Sequence, residues 1–286
     1  MYKKGDIMLV RIITGAVAFV VFLGAVLLSN TVVFPIALGI VTVICLFEMF
    51  KCMGVEKKLY ITVPLYLFGA GAPSYIRYNP LGDIRTFAVI AFIFAAIYLV
   101  YLFSVTVWSH GKLRFSDSLT VFAMSAYIIA AIDCIMYIRF FVQGGQYLYF
   151  LIFIGAWMTD IGAYFTGVFF GKHKLIEDVS PKKTIEGSIG GILICVISYF
   201  VFGWVVFGLE NMNIVFFVVT AVIISVVSQI GDLIMSVVKR HYGIKDYGKI
   251  FPGHGGMLDR FDSISAVSVT LGAIFMFAAL VGISFI

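Results

Sequence analysis

Apolar runs of about twenty residues recur along the whole chain, and short polar segments separate them. A helix of this length crosses the hydrocarbon core of a bilayer and satisfies its own backbone hydrogen bonds there. The pattern therefore predicts an all-α, polytopic integral membrane protein with about nine transmembrane helices. The predicted spans are 8–29, 31–50, 60–75, 86–107, 118–140, 146–171, 188–209, 213–238 and 264–286.

The composition supports this class, since 62% of the 286 residues are hydrophobic and 12% are charged. No separate soluble domain is visible in the sequence. We divide the chain into N-terminal transmembrane helices (1–145, about five spans) and a C-terminal transmembrane region (146–286) that carries the polar motifs and is predicted to be catalytic. The third span is short and contains Pro64 and Pro73, which are expected to break it.

Basic residues lie mainly on one side of the predicted topology. With the N-terminus in the cytoplasm, all 20 lysines and arginines except Arg77, Arg85 and Arg139 fall in cytoplasmic segments. Positive charge marks the cytoplasmic side, so we predict a cytoplasmic N-terminus in the cell (inner) membrane and a C-terminus on the far side. The net charge of +5 then reflects topology and attraction to anionic lipid, and not nucleic-acid binding.

Acidic and basic side chains gather at the cytoplasmic ends of three predicted spans. Carboxylates in a membrane protein usually mark a functional site, although a structural ion pair explains any one of them equally well. Carboxylates suit Mg²⁺, and lysine and arginine suit phosphate oxygens, so together they indicate a polyphosphate site at the membrane surface. The residues are Asp160 in the sixth span, Asp232, Ser236 and Lys239 on one face of the eighth, and Asp259 and Asp262 just before the ninth.

The loop 171–187, GKHKLIEDVSPKKTIEG, follows the sixth span. It sets Lys182 and Lys183 beside Ser180 and Thr184, a combination of positive charge and hydroxyl donors that suits phosphate. A positive-inside anchor explains the lysines as well. The flanking Ser-Pro, Thr and Glu-Gly residues favour phosphate binding.

The segment 251–262, FPGHGGMLDRFD, combines a turn with charge. Its proline and glycines permit a turn whose backbone can approach a ligand closely. Asp259 and Asp262 share a helix face, whereas Arg260 points elsewhere. His254 is either a hydrogen-bonding support or a base, and the sequence favours the support.

From Ser236 to Asp262 the chain closely resembles the signature of phosphatidate cytidylyltransferases, also called CDP-diacylglycerol synthases. The residues that carry the resemblance are SVVKRHYGIKDYGKIFPGHGGMLDRFD. It extends upstream through Asp160-x-x-Ala-Tyr, Gly167-x-x-x-Gly-Lys and Ser180-Pro-Lys-Lys-Thr-x-Glu-Gly187, so the motifs cover the C-terminal half. The first half matches only as hydrophobic spans. Ile161 stands where family members often have threonine, so a hydroxyl ligand is not expected there.

The resemblance implies that CTP and phosphatidate react to give CDP-diacylglycerol and pyrophosphate, with one or two Mg²⁺ ions, at the cytoplasmic face. It also implies a homodimer. Asp232 and Asp259 are then the best metal ligands, supported by Asp262 and Asp160. The implied contacts to CTP and lipid phosphates come from Lys239, Arg240, Lys245, Lys182 and Lys183, more weakly from Arg260, and from Ser180, Thr184 and Ser236 through hydroxyls, with His254 also placed at the substrate.

Three alternatives remain at this stage. An ion- or proton-coupled transporter would use Glu48, Asp133, Asp160 and Asp232 as a pathway, but it predicts acids spread across the membrane. A CTP-dependent polyprenol kinase would share the nucleotide and metal but should lack the signature. A CDP-alcohol phosphatidyltransferase would carry a run of aspartates beginning D-G-x-x-A-R, which this sequence does not contain.

Overall fold

The computed structural model describes residues 4–79, 83–111, 113–177, 179–253 and 255–286, with side chains described from residue 13 onward. Helices make up about three quarters of the chain. The helices are α1 (Lys4–Leu27), α2 (Val33–Cys52), α3 (Leu59–Tyr78), α4 (Ile84–Trp108), α5 (Phe115–Phe141), α6 (Gly145–Leu148), α7 (Phe150–Phe170), α8 (Ile185–Phe207), α9 (Ile214–His241) and α10 (Leu258–Val281). The two strands are β1 (Lys174–Ile176) and β2 (Ser180–Thr184).

Eight helical segments of the described chain are long and apolar enough to cross a membrane, and α6 with α7 counts as one of them. They coincide with the second to ninth predicted spans, so the predicted all-α, polytopic membrane fold is confirmed. The first predicted span coincides with α1, whose apolar part with described side chains is the shorter stretch Ile13–Leu27.

Three local features differ from the expectations. Helix α3 runs without a break through Pro64 and Pro73, because neighbouring helices can compensate a membrane helix for the hydrogen bonds that proline removes. The predicted loop 171–187 contains an antiparallel hairpin, in which Lys174 pairs with Thr184 and Ile176 with Ser180. Helix α10 begins at Leu258, six residues before the predicted span, so Asp259 and Asp262 lie inside its first two turns.

The helices form two compact units. The first contains Met1–Met136 and Tyr242–Arg260. In it, α2 and α3 approach closely where Gly39 faces the carbonyl oxygen of Ala70. The hydroxyl of Tyr98 on α4 donates to the carbonyl oxygen of Ile61 on α3, at 2.7 Å, and so joins the next helix.

The second unit contains Tyr137–His241 and Phe261–Ile286, and its centre is the packing of α7, α8 and α9. Gly187 and Gly191 on α8 face the carbonyl oxygens of Ala163 and Thr159 on α7, since small residues let membrane helices approach closely. The hydroxyl of Thr159 also donates to Ser225 on α9, at 3.0 Å. The glycine-rich face of α8 therefore packs within the subunit.

This packing generates a test of fold stability. A Cβ at Gly191 would lie 2.9 Å from the carbonyl oxygen of Thr159, so Gly191→Ala must push α7 and α8 apart. We expect a loss of about 1–3 kcal/mol, the usual cost of overpacking, measured as a lower thermal transition in detergent. Gly71→Ala is the matched control, because Gly71 is also helical and a Cβ added there would meet no other atom within 4 Å. Equal transitions for the two variants would contradict the described helix packing.

Candidate active site

The centre of the candidate site is an ion pair in the second unit. Lys183 projects from β2 and Asp232 from the last third of α9, and Lys183 Nζ lies 2.5 Å from Asp232 Oδ2. The ammonium also donates to the carbonyl oxygen of Gln229, at 3.4 Å. The side chains of Lys183 and Asp232 are 25% and 27% exposed, so a ligand can reach both from solution.

Asp262 extends this pair into a larger group. Gly231 lets α9 and α10 come close, because a Cβ there would collide with Ala266 on α10. Asp232 is consequently a near neighbour of Asp262, and Asp160 and Lys239 also interact with Asp262 electrostatically. The structure thus gathers five predicted site residues, which we call the aspartate–lysine cluster: Asp160, Lys183, Asp232, Lys239 and Asp262.

The donor atoms of this cluster suit Mg²⁺. In the part of the chain that the structure describes, no three histidine, cysteine, aspartate or glutamate side chains stand as a preformed metal site. Mg²⁺ does not require one, because it commonly binds through one or two carboxylates, several waters and the substrate's phosphates. Asp232 and Asp262 supply two neighbouring carboxylates of this kind.

The hairpin positions the basic part of the site. Thr184 is buried, and its hydroxyl accepts a hydrogen bond from the amide of Gly187 at 3.1 Å, which caps the start of α8. Its predicted contact with phosphate would compete with this cap. Lys182 is exposed and Ser180 half-buried on the same strand.

Glu186 ties the hairpin's first arm to α8. Its carboxylate accepts from the amides of Lys172 and His173, and it lies 2.6 Å from His173 Nδ1. A carboxylate in the first turn of a helix also complements the helix dipole. The sequence motif contains Glu186 without predicting a role for it, although its place two residues after the Thr184 cap is typical of a first-turn acid.

Asp259 belongs to the first unit, where it holds a loop. Only 6% of the residue is exposed, and its Oδ2 accepts hydrogen bonds from the amides of Tyr247 and Gly256 at 2.8 and 2.9 Å. The described residues of 247–258 (247–253 and 255–258), here called the glycine segment, turn around this carboxylate. Gly253 and Gly255 have positive φ values of 79° and 89°, which a residue with a side chain rarely adopts. The predicted role of Asp259 as a metal ligand stays a prediction.

Glu48 is the residue that the sequence analysis did not connect with this site. It lies on α2, is 2% exposed, and accepts from the amides of Met257 and Leu258 at 3.1 and 2.8 Å. The sequence signal was present, since one acid inside an apolar span needs a buried partner. The sequence did not reveal which partner, because the two amides lie more than two hundred residues away.

The remaining predicted site residues within the described chain lie at the protein surface or on α9. Ser236 is half-buried, one turn beyond Asp232 on α9. His254 lies outside the described residues. The exposed predicted residues are Arg240 at the end of α9, Lys245 in the following loop and Arg260 on α10.

Comparison with known proteins identifies the family of the chain. Proteins named phosphatidate cytidylyltransferase from Staphylococcus haemolyticus and Staphylococcus aureus (strain COL) are each 34% identical, over 264 and 265 residues. One from Staphylococcus epidermidis is 32% identical over 260 residues. Each alignment covers 91% of this chain and 96% of the relative. The model of the cytidylyltransferase family matches residues 9–279, so the chain belongs to the cytidylyltransferase family.

Proposed function

We propose that this protein is a phosphatidate cytidylyltransferase, which converts CTP and phosphatidate to CDP-diacylglycerol and pyrophosphate at the cytoplasmic face of the cell membrane. The observation that carries the proposal is the aspartate–lysine cluster, which combines carboxylates for a divalent cation with ammonium groups for phosphate. The names of the relatives support the same reaction.

The reaction needs charge neutralisation more than a nucleophilic side chain. A phosphate oxygen of phosphatidate attacks the α-phosphorus of CTP, the bond to the β-phosphate oxygen breaks, and pyrophosphate leaves. Both substrates are anionic, so the site must offset their repulsion and hold them in line. In this proposal Lys183 and Lys239 would neutralise phosphate oxygens, and Asp232 and Asp262 would hold Mg²⁺, which would supply further positive charge at the phosphates.

The position of the cluster within the second unit supports a site at the membrane surface. Asp232 and Lys239 lie in the last third of α9, Asp262 in the second turn of α10, and Lys183 on the hairpin that enters α8. These four residues lie toward the ends of their helices or on the hairpin, where an amphiphilic lipid and a water-soluble nucleotide can meet, whereas Asp160 lies near the middle of α7. The concentration of basic residues in the segments predicted to face the cytoplasm supports that side for CTP.

A transporter receives less support. That alternative needs Glu48 as part of an ion pathway, but its two carboxylate oxygens accept from two backbone amides. A homodimer that binds no nucleic acid remains part of the proposal on the family resemblance alone.

The topology is tested by reporter fusions at the two ends of the chain. Nine spans and the distribution of lysine and arginine predict a cytoplasmic N-terminus and a C-terminus on the opposite side. A reporter active only in the cytoplasm should therefore work at residue 1 and fail after Ile286. Activity of the reporter at both ends would mean that the number of spans is wrong.

The carboxylates are tested by Asp232→Asn and Asp262→Asn. Each change keeps the side-chain shape and removes a charge, so we expect at least about a hundredfold loss of cytidylyl transfer, with insertion and purification retained. The assay measures transfer of label from CTP to phosphatidate in liposomes. Glu210→Gln is the matched control, because Glu210 is exposed in the α8–α9 loop of the same unit. Loss of folded protein instead of turnover would support a structural ion pair.

The contribution of Lys183 to catalysis is tested by comparing the activities of the Lys183→Gln and Lys57→Gln variants. Both residues are topological anchors, but only Lys183 belongs to the cluster. Loss of one charge-assisted contact of about 1.5–3 kcal/mol predicts a roughly tenfold to hundredfold fall in kcat/KM for Lys183→Gln and little change for Lys57→Gln. Kinetics at matched protein levels in liposomes decide between them. Equal losses would remove the hairpin from the active site.

A further inference from the structure

We propose that Glu48 is a positioning residue for catalysis, which holds the glycine segment in the conformation that the reaction requires. The predicted effect on catalysis rests on the proposed function. The contacts that support the inference all lie in the first unit. It assigns a role in the site to a helix from the N-terminal half of the chain, which the sequence motifs do not reach.

The first step is the burial of the Glu48 carboxylate. Glu48 is 2% exposed, and an ionised carboxylate at such a place needs hydrogen-bond donors to offset its lost hydration. Its Oε1 and Oε2 accept one bond each, from the amides of Met257 and Leu258. These are backbone donors, so their direction depends on the conformation of the glycine segment itself.

The amides at the start of α10 are bound by Glu48. The first amides of a helix have no partner within the helix, and they attract anions such as phosphate. Leu258 begins α10, and Glu48 accepts from its amide and from the amide of Met257 just before it. We therefore infer that these two amides serve the protein's own carboxylate and that substrate phosphate is bound by other groups.

The third step is the close fit between Glu48 and the glycines. A Cβ at either Gly248 or Gly256 would collide with the Glu48 carboxylate, so both positions have room only for hydrogen. Asp259 holds the same segment through the amides of Tyr247 and Gly256. Two buried carboxylates thus fix a loop whose glycines have little conformational preference of their own.

The conformation of the glycine segment affects the position of the residues that follow it. The glycine segment leads directly into Asp259 and then Asp262 on α10, and it follows Lys245. A loop that supplies catalytic groups must hold them to within a fraction of an ångström, and small displacements reduce turnover strongly. Glu48 contacts the loop backbone and is therefore expected to act through the loop and not on the substrates.

The main experiment compares Glu48→Gln with wild type in two assays. Glutamine keeps the volume, but its NH₂ group faces an amide donor where an acceptor is needed. We expect kcat to fall at least about tenfold at a temperature well below the variant's thermal transition, with KM for CTP changed less. We also expect trypsin to cleave the detergent-solubilised protein after Lys245 and Lys249 at least severalfold faster, with cleavage after Lys182 unchanged.

Cys45→Ala is the matched control. Cys45 lies one turn from Glu48 on α2 and is equally buried, at 2% exposure, so its truncation loosens the same packing without touching the segment's hydrogen bonds. It is expected to lower the thermal transition and to keep wild-type kcat and trypsin cleavage. A purely structural Glu48 would behave like Cys45, and that result would overturn the proposal.

A second variant approaches the same contact from the loop. Gly256→Ala places a methyl group against the Glu48 carboxylate, so it should reproduce the fall in kcat and the faster cleavage. The double variant should be no worse than the more damaging single one, because both changes break one contact. Additive losses, or wild-type behaviour of Gly256→Ala, would overturn the proposal. If wild type itself transfers no cytidylyl group, the proposed function fails, while the trypsin comparison still tests the positioning.

Discussion

The structure depends on one constraint, which is that a charge buried in an apolar protein must have a partner. The low polarizability of the interior makes an unpaired carboxylate very unfavourable, and lipid offers no alternative donors. Three acids of the described chain, of which two are buried and one is partly exposed, satisfy this constraint in two ways. Asp232 pairs with Lys183, while Glu48 and Asp259 accept backbone amides. The hydrogen bonds from backbone amides to Glu48 and Asp259 fix the conformation of the glycine segment.

These two solutions suit different tasks. A carboxylate paired with a lysine at 25–27% exposure can exchange that partner for a cation or a substrate, because water can enter as the pair opens. A carboxylate that accepts two backbone amides in a buried position has no comparable freedom. We therefore propose that the aspartate–lysine cluster binds the substrates and neutralises their charge, whereas Glu48 and Asp259 fix the shape of the glycine segment.

The helices could be predicted from the sequence because a run of apolar residues is a local feature of the chain. Runs of apolar residues predicted the second to ninth spans to within a few residues at most ends, and the misplaced start of α10 arose because Asp259 and Asp262 are charged residues inside a helix. The prolines of α3 do not break the helix as predicted, since their effect depends on neighbouring helices. The hairpin at 174–184 is too short and too polar to be read from periodicity.

The site was predictable only where its residues are unusual in type. Charged residues are rare in this hydrophobic chain, so the sequence marked Lys183, Asp232 and Asp262, and the structure brings them together. The bonds of Glu48 and Asp259 to backbone amides did not stand out, because every residue other than proline has the same amide and no pattern marks which ones are used. Such contacts depend on tertiary structure.

The most direct test of the account follows the two ends of the CTP triphosphate separately. Purified protein in liposomes containing phosphatidate would receive CTP labelled either at the α-phosphorus or at the γ-phosphorus. The account predicts that the α label enters the lipid as CDP-diacylglycerol and that the γ label appears only in pyrophosphate. Entry of the γ label into lipid, as a kinase would produce, or failure of the α label to enter phosphatidate-containing liposomes, would contradict it.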